Sequence, residues 1–149
     1  CSSDLGDMPA HVEIGDMLYV LATNSSARSE LLCDYLAPRV HADDVIHAVN
    51  SQRGGDHTTR AELDRGRDAL AVVDDRLSGV ATVETHQFVR GNDPATDVLA
   101  FVDRREADEL VFGIRKRSGV GKVLLGGVAQ DLLTDADVPM RVIPVDPAK

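Results

Sequence analysis

The chain has 149 residues, the usual size of one compact domain, and 43% of them are hydrophobic. No apolar run approaches the roughly 20 residues that a membrane-spanning helix needs. The formal net charge of −9, from 25 acidic and 16 basic residues, repels nucleic-acid phosphates and anionic lipids. Membrane and nucleic-acid partners are therefore disfavoured.

The types of charged residue are unusual. Nineteen of the acids are Asp, and only three of the bases are Lys. An Asp-rich, Lys-poor surface is what solubility requires in a very salty cytoplasm, although an acidic protein with a chance shortage of Lys is the alternative. Two cysteines, Cys1 and Cys33, form no disulfide framework and favour a reducing, cytoplasmic setting.

Short apolar runs rich in strand formers alternate with segments whose apolar residues recur at helical spacing. The predicted elements are, in chain order, a strand at 17–22, a helix at 27–36, a strand at 45–49, a helix at 59–77, a strand at 80–89, a helix at 94–104, a strand at 110–113, a helix at 128–133 and a strand at 139–145. This alternation predicts an α/β domain of Rossmann-like type, a single doubly wound five-stranded parallel sheet with helices on both faces.

Ligands of such sheets bind where strand order reverses, at the carboxyl ends of the strands. The loops at 23–26 and 113–127 are therefore the expected site. The second loop carries Arg115, Lys116, Arg117 and Lys122 on an otherwise acidic chain, and Gly126 and Gly127 open the next helix. Basic side chains and a free helix N-terminus favour a phosphorylated ligand; the alternative is that they neutralise nearby Asp and shape a turn.

Residue spacing excludes two familiar phosphate loops. A phosphate-loop NTPase with Gly121 and Lys122 in its motif would need glycine at 116 and Ser or Thr at 123, where the chain has Lys116 and Val123. The dinucleotide-binding fingerprint fails as well, because no glycine stands at position 124.

Catalytic and metal sites find little support in the pattern. The histidines show no metal-ligand spacing; they are His11, His41, His47, His57 and His86. Cys33 is interpreted as a core residue. The acidic pairs at 43–44 and 74–75 are interpreted as solvated caps, with metal or acid-base roles as the alternative. No catalytic residue and no metal ligand is predicted.

The segment 110–145 resembles the universal stress protein family. Nucleotide-binding members carry Gly-x2-Gly-x9-Gly-(Ser/Thr) after the fourth strand, and this chain has Gly113, Lys116, Gly126 and Gly127 at those positions. The version here looks like that of haloarchaeal members. The resemblance covers 17–145 and implies one domain at 17–149, preceded at 1–16 by an N-terminal arm or an added segment.

The resemblance implies that ATP or AMP is the ligand, with Mg²⁺ if ATP is bound. It would place Ala22 and Thr23 beside the ribose and base, and the Ala48 backbone against adenine. Around the phosphates it would place Gly113, Lys116, Gly126, Gly127 and Val128; Ser118 and Lys122 are added because of their chemistry. Where the family commonly has an Asp that bonds the ribose, this chain has Thr23.

The function implied is that of a small stress-response module, not an enzyme, with at most weak nucleotide hydrolysis. Members commonly form homodimers through the last strand, here Met140–Val145. The alternative is a member that has lost ATP binding, in which Thr23, Lys116 and Gly127 mark a lost pocket and dimer or partner contacts carry the function.

Overall fold

The computed structural model describes residues 17–52, 54, 58–89, 91, 93–116, 123–124 and 127–145. The elements are β1 (Leu18–Ala22), α1 (Ser26–Leu36), β2 (Val45–Gln52), α2 (Arg60–Leu77), β3 (Thr82–Val89), α3 (Pro94–Arg105), β4 (Glu109–Lys116), β5 (Val123–Leu124), α4 (Gly127–Asp135) and β6 (Met140–Val145). The segment expected to be an arm, 1–16, lies outside the described residues. The predicted single parallel sheet with four helices is confirmed.

The five long strands form a parallel sheet in the order β3-β2-β1-β4-β6. From β1 the chain adds β2 and then β3 on one side of the sheet. It then returns to add β4 and β6 on the other side of β1. The order in which strands are added therefore reverses between β1 and β4, while the strands stay parallel. This reversal separates the crossover helices at the carboxyl ends of β1 and β4 and opens a crevice there.

Strand side chains alternate between two cores. Tyr19 and Leu21 of β1 face α1 and α2, together with Val111 of β4. Val20 of β1 and Phe112 of β4 belong to the opposite core, beneath α3 and α4. Both faces are apolar because helices cover both, and this explains the near-continuous hydrophobic runs of the strands.

Helices begin where the sequence offers a cap. Ser25 accepts a hydrogen bond from the Arg28 backbone N–H at the start of α1, and Thr59 forms a reciprocal capping box with Glu62 at the start of α2. Asp93 and Pro94 open α3 as predicted. Each of these helices follows a strand of the parallel sheet, so its N-terminus lies at the carboxyl edge of the sheet.

The structure departs from the predicted elements between β4 and α4. β4 does not end at Gly113 but continues to Lys116, and its last two residues pair antiparallel with β5. A strand of two residues is too short to show a hydrophobic period, so β5 could not be predicted from the residue pattern. Residues 115–116 and 123–124 of the predicted loop are thus paired strand residues.

The acidic pairs and Cys33 lie in different environments. Asp43, Asp74 and Asp75 are exposed, as predicted, whereas Asp44 is fully buried and is not a solvated cap. Cys33 is a buried core residue, as predicted, and burial raises the pKa of its thiol to about 11. Within the described part of the chain, no helix is long and apolar enough to cross a membrane.

Candidate functional site

A cavity of about 330 Å³ opens at the carboxyl ends of β1, β2 and β4. Ala22 and Thr23 line it from β1, Phe112 and Gly113 from β4, and residues 49–52 from β2. Its volume is at the lower end of the range for small-molecule sites, about 300–1,000 Å³. The cavity therefore occupies the crevice that the reversal of strand order predicts.

Thr23 anchors the floor of this cavity. It is 5% exposed, and its backbone N–H donates to the Val49 carbonyl at 3.1 Å. Its hydroxyl oxygen lies 2.7 Å from Ser29 Oγ, and Ser29 donates its own proton to the Ala69 carbonyl. The Thr23 proton is therefore engaged by Ser29 Oγ or by the Ser25 carbonyl at 3.3 Å, and only its lone pairs remain for a ligand.

Three side-chain amides form a connected group beside Thr23. Asn50 is 2% exposed, donates to the Thr23 carbonyl at 2.9 Å, and accepts from Gln52 and Gln87 at 3.1 Å each. Gln52 and Gln87 also donate to backbone carbonyls of α2. We call Asn50, Gln52 and Gln87 the amide cluster; it holds the ends of β2 and β3 against α2.

The amide cluster fits only because position 66 of α2 is glycine. A Cβ at Gly66 would lie 2.1 Å from Asn50 Oδ1 and 2.8 Å from Gln52 Nε2. Gly66 thus permits the helix backbone to approach the strand closely.

Charged groups surround the mouth of the cavity. Arg28 of α1 and Arg65 of α2 line it, and Val128 lines it in the first turn of α4. Glu62 is the one carboxylate among its described lining residues. Hydrogen bonds from the backbone and hydroxyl of Thr59 lower the Glu62 pKa and keep it ionised.

The N-termini of two helices add to the positive charge that Arg28 and Arg65 bring to the cavity mouth. Helix α4 begins at Gly127 and α3 at Pro94, and both helices contribute lining residues in their first turns. Unpaired N–H groups and the positive end of the helix dipole favour anions at such positions. The geometry suits an anionic ligand with a planar or polar body near β1 and β2.

The model of the universal stress protein family matches residues 19–144 of this chain. The chain belongs to the universal stress protein family. It is 28% identical to a universal stress protein of Methanocaldococcus jannaschii over 106 residues, which are 70% of this chain and 62% of that protein. It is 43% identical over 53 residues to one of Mycolicibacterium smegmatis, covering 36% of this chain and 41% of the relative. The matches thus span less than two-thirds of these curated relatives.

Solved structures of universal stress proteins share the fold. One from Archaeoglobus fulgidus is 30% identical with a TM-score of 0.66, covering 87% of this chain and 98% of its own. A universal stress protein from A. fulgidus in complex with dAMP is 25% identical with a TM-score of 0.58, covering 87% of this chain and 97% of its own. An Arabidopsis thaliana family member with AMP bound has a TM-score of 0.63 at 16% identity, covering 89% and 94%, and shows the fold alone.

In this universal stress protein the structure gathers part of the predicted site. Ala22, Thr23, Gly113 and Val128 all line the cavity. Gly127 begins α4, and Lys116 ends β4. The predicted Ser118, Lys122 and Gly126 lie outside the described residues.

Ala48 is not brought to the cavity. It is fully buried in the core beneath α1 and α2, and its strand has neighbours on both sides, Leu21 of β1 and Thr85 of β3. Residues 49–52 line the cavity instead. On β2 the cavity is thus lined by the residues that follow Ala48, and a contact of the Ala48 backbone with adenine stays a prediction.

Several lining residues were not predicted. They are Arg28, Val49, Asn50, Ser51, Gln52, Thr58, Glu62, Arg65, Pro94, Val98, Phe112, Ala129 and Leu132, whereas Asn24 lies in the loop at 23–26 that was expected to form the site. The signal that could have found some of them is the change from apolar to polar residues at 50–52. Polar side chains at the end of a buried parallel strand mark the edge where ligands bind.

A second group of polar side chains lies on β2 and β3. His47 Nδ1 is 3.0 Å from His86 Nε2 and 4.0 Å from a Glu84 oxygen. None of the three lines the cavity. The sequence separates His47 from His86 by 39 residues, so spacing alone gave no sign of the pair.

Proposed function

We propose that this universal stress protein binds an adenine nucleotide, ATP or AMP, in the cavity between β1 and β4. The observation that carries the proposal is that Ala22, Thr23, Gly113 and Val128, predicted from the family resemblance, line one cavity. The A. fulgidus relative, 25% identical, was solved with dAMP, a ligand of the same chemical class.

The adenosine part of the ligand is proposed to lie against β1 and β2. Thr23 lone pairs can accept from the ribose, and residues 49–52 offer polar groups at the cavity wall. A neutral Thr23 in place of the usual acid removes a charge-assisted contact, a change of about 1.5–3 kcal/mol. The expected affinity is consequently about 10- to 150-fold weaker than with the acid.

The phosphates are proposed to lie at the N-terminus of α4. Gly127 and Val128 form its first turn, so the backbone N–H groups of this turn are available to an anion. Lys116 is proposed to supply a countercharge from the end of β4, and Ser118, Lys122 and Gly126 are proposed to complete the phosphate site. These six positions would contribute to affinity for phosphate rather than for adenosine.

Mg²⁺ is proposed to accompany ATP but not AMP. Glu62 is the only carboxylate among the described lining residues, and it lies in the first turn of α2. A magnesium ion bound with ATP would therefore take most of its oxygen ligands from phosphate and water, as this ion commonly does.

The proposed role is a regulatory or protective binding module in the cytoplasm, without a catalytic residue. We also propose that the acidic surface is an adaptation to high salt, as the haloarchaeal resemblance implies. Thermal unfolding that shifts upward between about 0.1 M and 2 M KCl would support this, because salt screens the repulsion of nine excess negative charges.

A homodimer through β6 is the proposed assembly. β6 is at the edge of the described sheet and pairs only with β4, so its outer side can meet a second copy. Pro144 lacks an N–H and limits the pairing to the remaining residues of the strand. Light scattering measures the molar mass in solution and so distinguishes a dimer from a monomer.

Blocking the cavity mouth tests the binding site. Val128 is 39% exposed on the cavity wall, so Val128→Trp adds bulk at the site while leaving the core intact. We expect AMP affinity to fall at least about tenfold in calorimetry, because the indole displaces the ligand. The matched control is Leu133→Trp, on the same helix, 36% exposed and outside the cavity lining.

Equal affinity of the Val128→Trp and Leu133→Trp variants would contradict the proposed position. The alternative function, a family member that has lost ATP binding, is favoured by the Thr23 hydroxyl contact with Ser29. It predicts no nucleotide binding by any of these proteins.

A further inference from the structure

The cluster of His47, Glu84 and His86 lies on the two outermost strands of one sheet edge. Glu84 and His86 are two residues apart on β3 and therefore face the same side, and Glu84 is the direct cross-strand neighbour of His47 on β2. Three potential ligand atoms, two imidazole nitrogens and a carboxylate oxygen, lie within 4.8 Å of one another.

The distances between these atoms are close to those of a tetrahedral zinc site. Zn–N bonds of about 2.0–2.1 Å place two ligand nitrogens about 3.3–3.4 Å apart. His47 Nδ1 and His86 Nε2 are 3.0 Å apart, so they need to separate by only a few tenths of an ångström. Glu84 Oε1, at 4.0 Å from His47 Nδ1, must approach, and its side chain is 54% exposed and free to move.

The surroundings hold the two imidazoles in place. The Phe101 ring of α3 packs at 5.3 Å from His47 and 4.8 Å from His86, and Phe88 stacks on His86. Burial is the main cause that lowers the pKa of both histidines, which favours the neutral imidazole that binds metals. The Arg105 charge acts in the same direction, and Glu84 opposes it. One of the two facing nitrogens carries the proton of their hydrogen bond, and this proton moves to the other ring nitrogen or to solvent when a metal binds.

We propose that His47, Glu84 and His86 bind one divalent transition-metal ion of the zinc class, with water at a fourth position. Two imidazoles and one carboxylate with an open position are a ligand set that zinc takes in proteins. The ion would replace the imidazole hydrogen bond and link β2 to β3. The site is separate from the nucleotide cavity, so the proposal does not depend on nucleotide binding.

Titration of the full chain with ZnCl2, without nucleotide, tests the proposal. We expect a one-to-one binding event whose affinity falls at least tenfold in His86→Gln and in Glu84→Gln. Both variants alter side chains outside the fully buried core, so folding is expected to persist. The matched control is His41→Gln, an exposed histidine outside the cluster, which should bind as the wild type does.

A substitution of Arg105 is expected to strengthen zinc binding, whereas the ligand substitutions weaken it. Its guanidinium lies 5.1 Å from the centre of the Phe101 ring and repels a cation bound beside that ring. Arg105→Gln is therefore expected to tighten zinc binding by about two- to fivefold. X-ray absorption of the zinc-loaded protein should show two imidazole ligands.

Two results would overturn the proposal. One is the absence of zinc-dependent heat from the wild-type chain. The other is a zinc event of undiminished affinity in both His86→Gln and Glu84→Gln, since the ion would then be held elsewhere.

Discussion

Gly66→Ala is expected to destabilise the protein by about 2–4 kcal/mol. Alanine favours a helix over glycine by about 1 kcal/mol, but the new Cβ would lie 2.1 Å from Asn50 Oδ1. Asn50 cannot simply rotate away, because it bonds the Thr23 carbonyl and two glutamine amides. Urea unfolding monitored by circular dichroism measures the loss.

The control for this substitution is Gly79→Ala. Gly79 follows α2, and a Cβ there would meet no atom within 4 Å. We expect its stability to be unchanged or higher by up to about 1 kcal/mol, because alanine reduces the entropy of the unfolded chain. The double variant Gly66→Ala with Asn50→Ala should lose less stability than the sum of the two single variants, because the contact between the new Cβ and Asn50 Oδ1 is absent from it. A Gly66→Ala protein as stable as Gly79→Ala would contradict the described contact.

Asp44→Ala is expected to cost about 3 kcal/mol. Asp44 is fully buried, and its two oxygens accept hydrogen bonds from the backbone N–H groups of Met17 and His41, at 2.9 and 2.8 Å. Alanine leaves both donors without a partner at the start of β1 and in the loop before β2. Denaturant unfolding again measures the effect.

Asp43→Ala is the matched control, because Asp43 is exposed in the same loop, and a change within about 0.5 kcal/mol is expected. The stability of the Asp44→Asn protein should lie between those of Asp44→Ala and Asp43→Ala, since the asparagine amide retains one acceptor oxygen. Asp44 lies at the opposite end of the sheet from the cavity, so nucleotide affinity should not change. Equal stability of the Asp43→Ala and Asp44→Ala proteins would contradict a structural role for this carboxylate.

The sequence allowed the helices and strands to be predicted because their signals are local. Ser25 and Thr59 cap helices through hydrogen bonds to residues three positions away, Pro94 marks the start of α3, and buried strands are apolar runs. Asp44 was misread, because an acidic pair before a strand has the same local pattern whether its side chains face solvent or the core. The buried Asp44 carboxylate accepts from the backbone N–H of Met17, which lies just before β1 and 27 residues away along the chain.

Much of the candidate site depends on contacts between distant segments. The amide cluster joins residues 50, 52 and 87 beneath α2, and the histidine pair joins 47 with 86; strand register sets both. Side chains alternate along β2, so Ala48 lies in the core beneath α1 and α2, while the adjacent Val49 lies in the opposite core and also lines the cavity.

Calorimetric titration of the wild-type chain with AMP and with ATP and Mg²⁺, extended to millimolar nucleotide in about 2 M KCl, tests nucleotide binding most directly. The high salt screens the net charge of −9 and is the condition in which the acidic chain is expected to be most stable. We predict saturable heat at one nucleotide per chain, reduced in Val128→Trp. Absence of heat with both nucleotides, from a chain shown to be folded, would contradict the account.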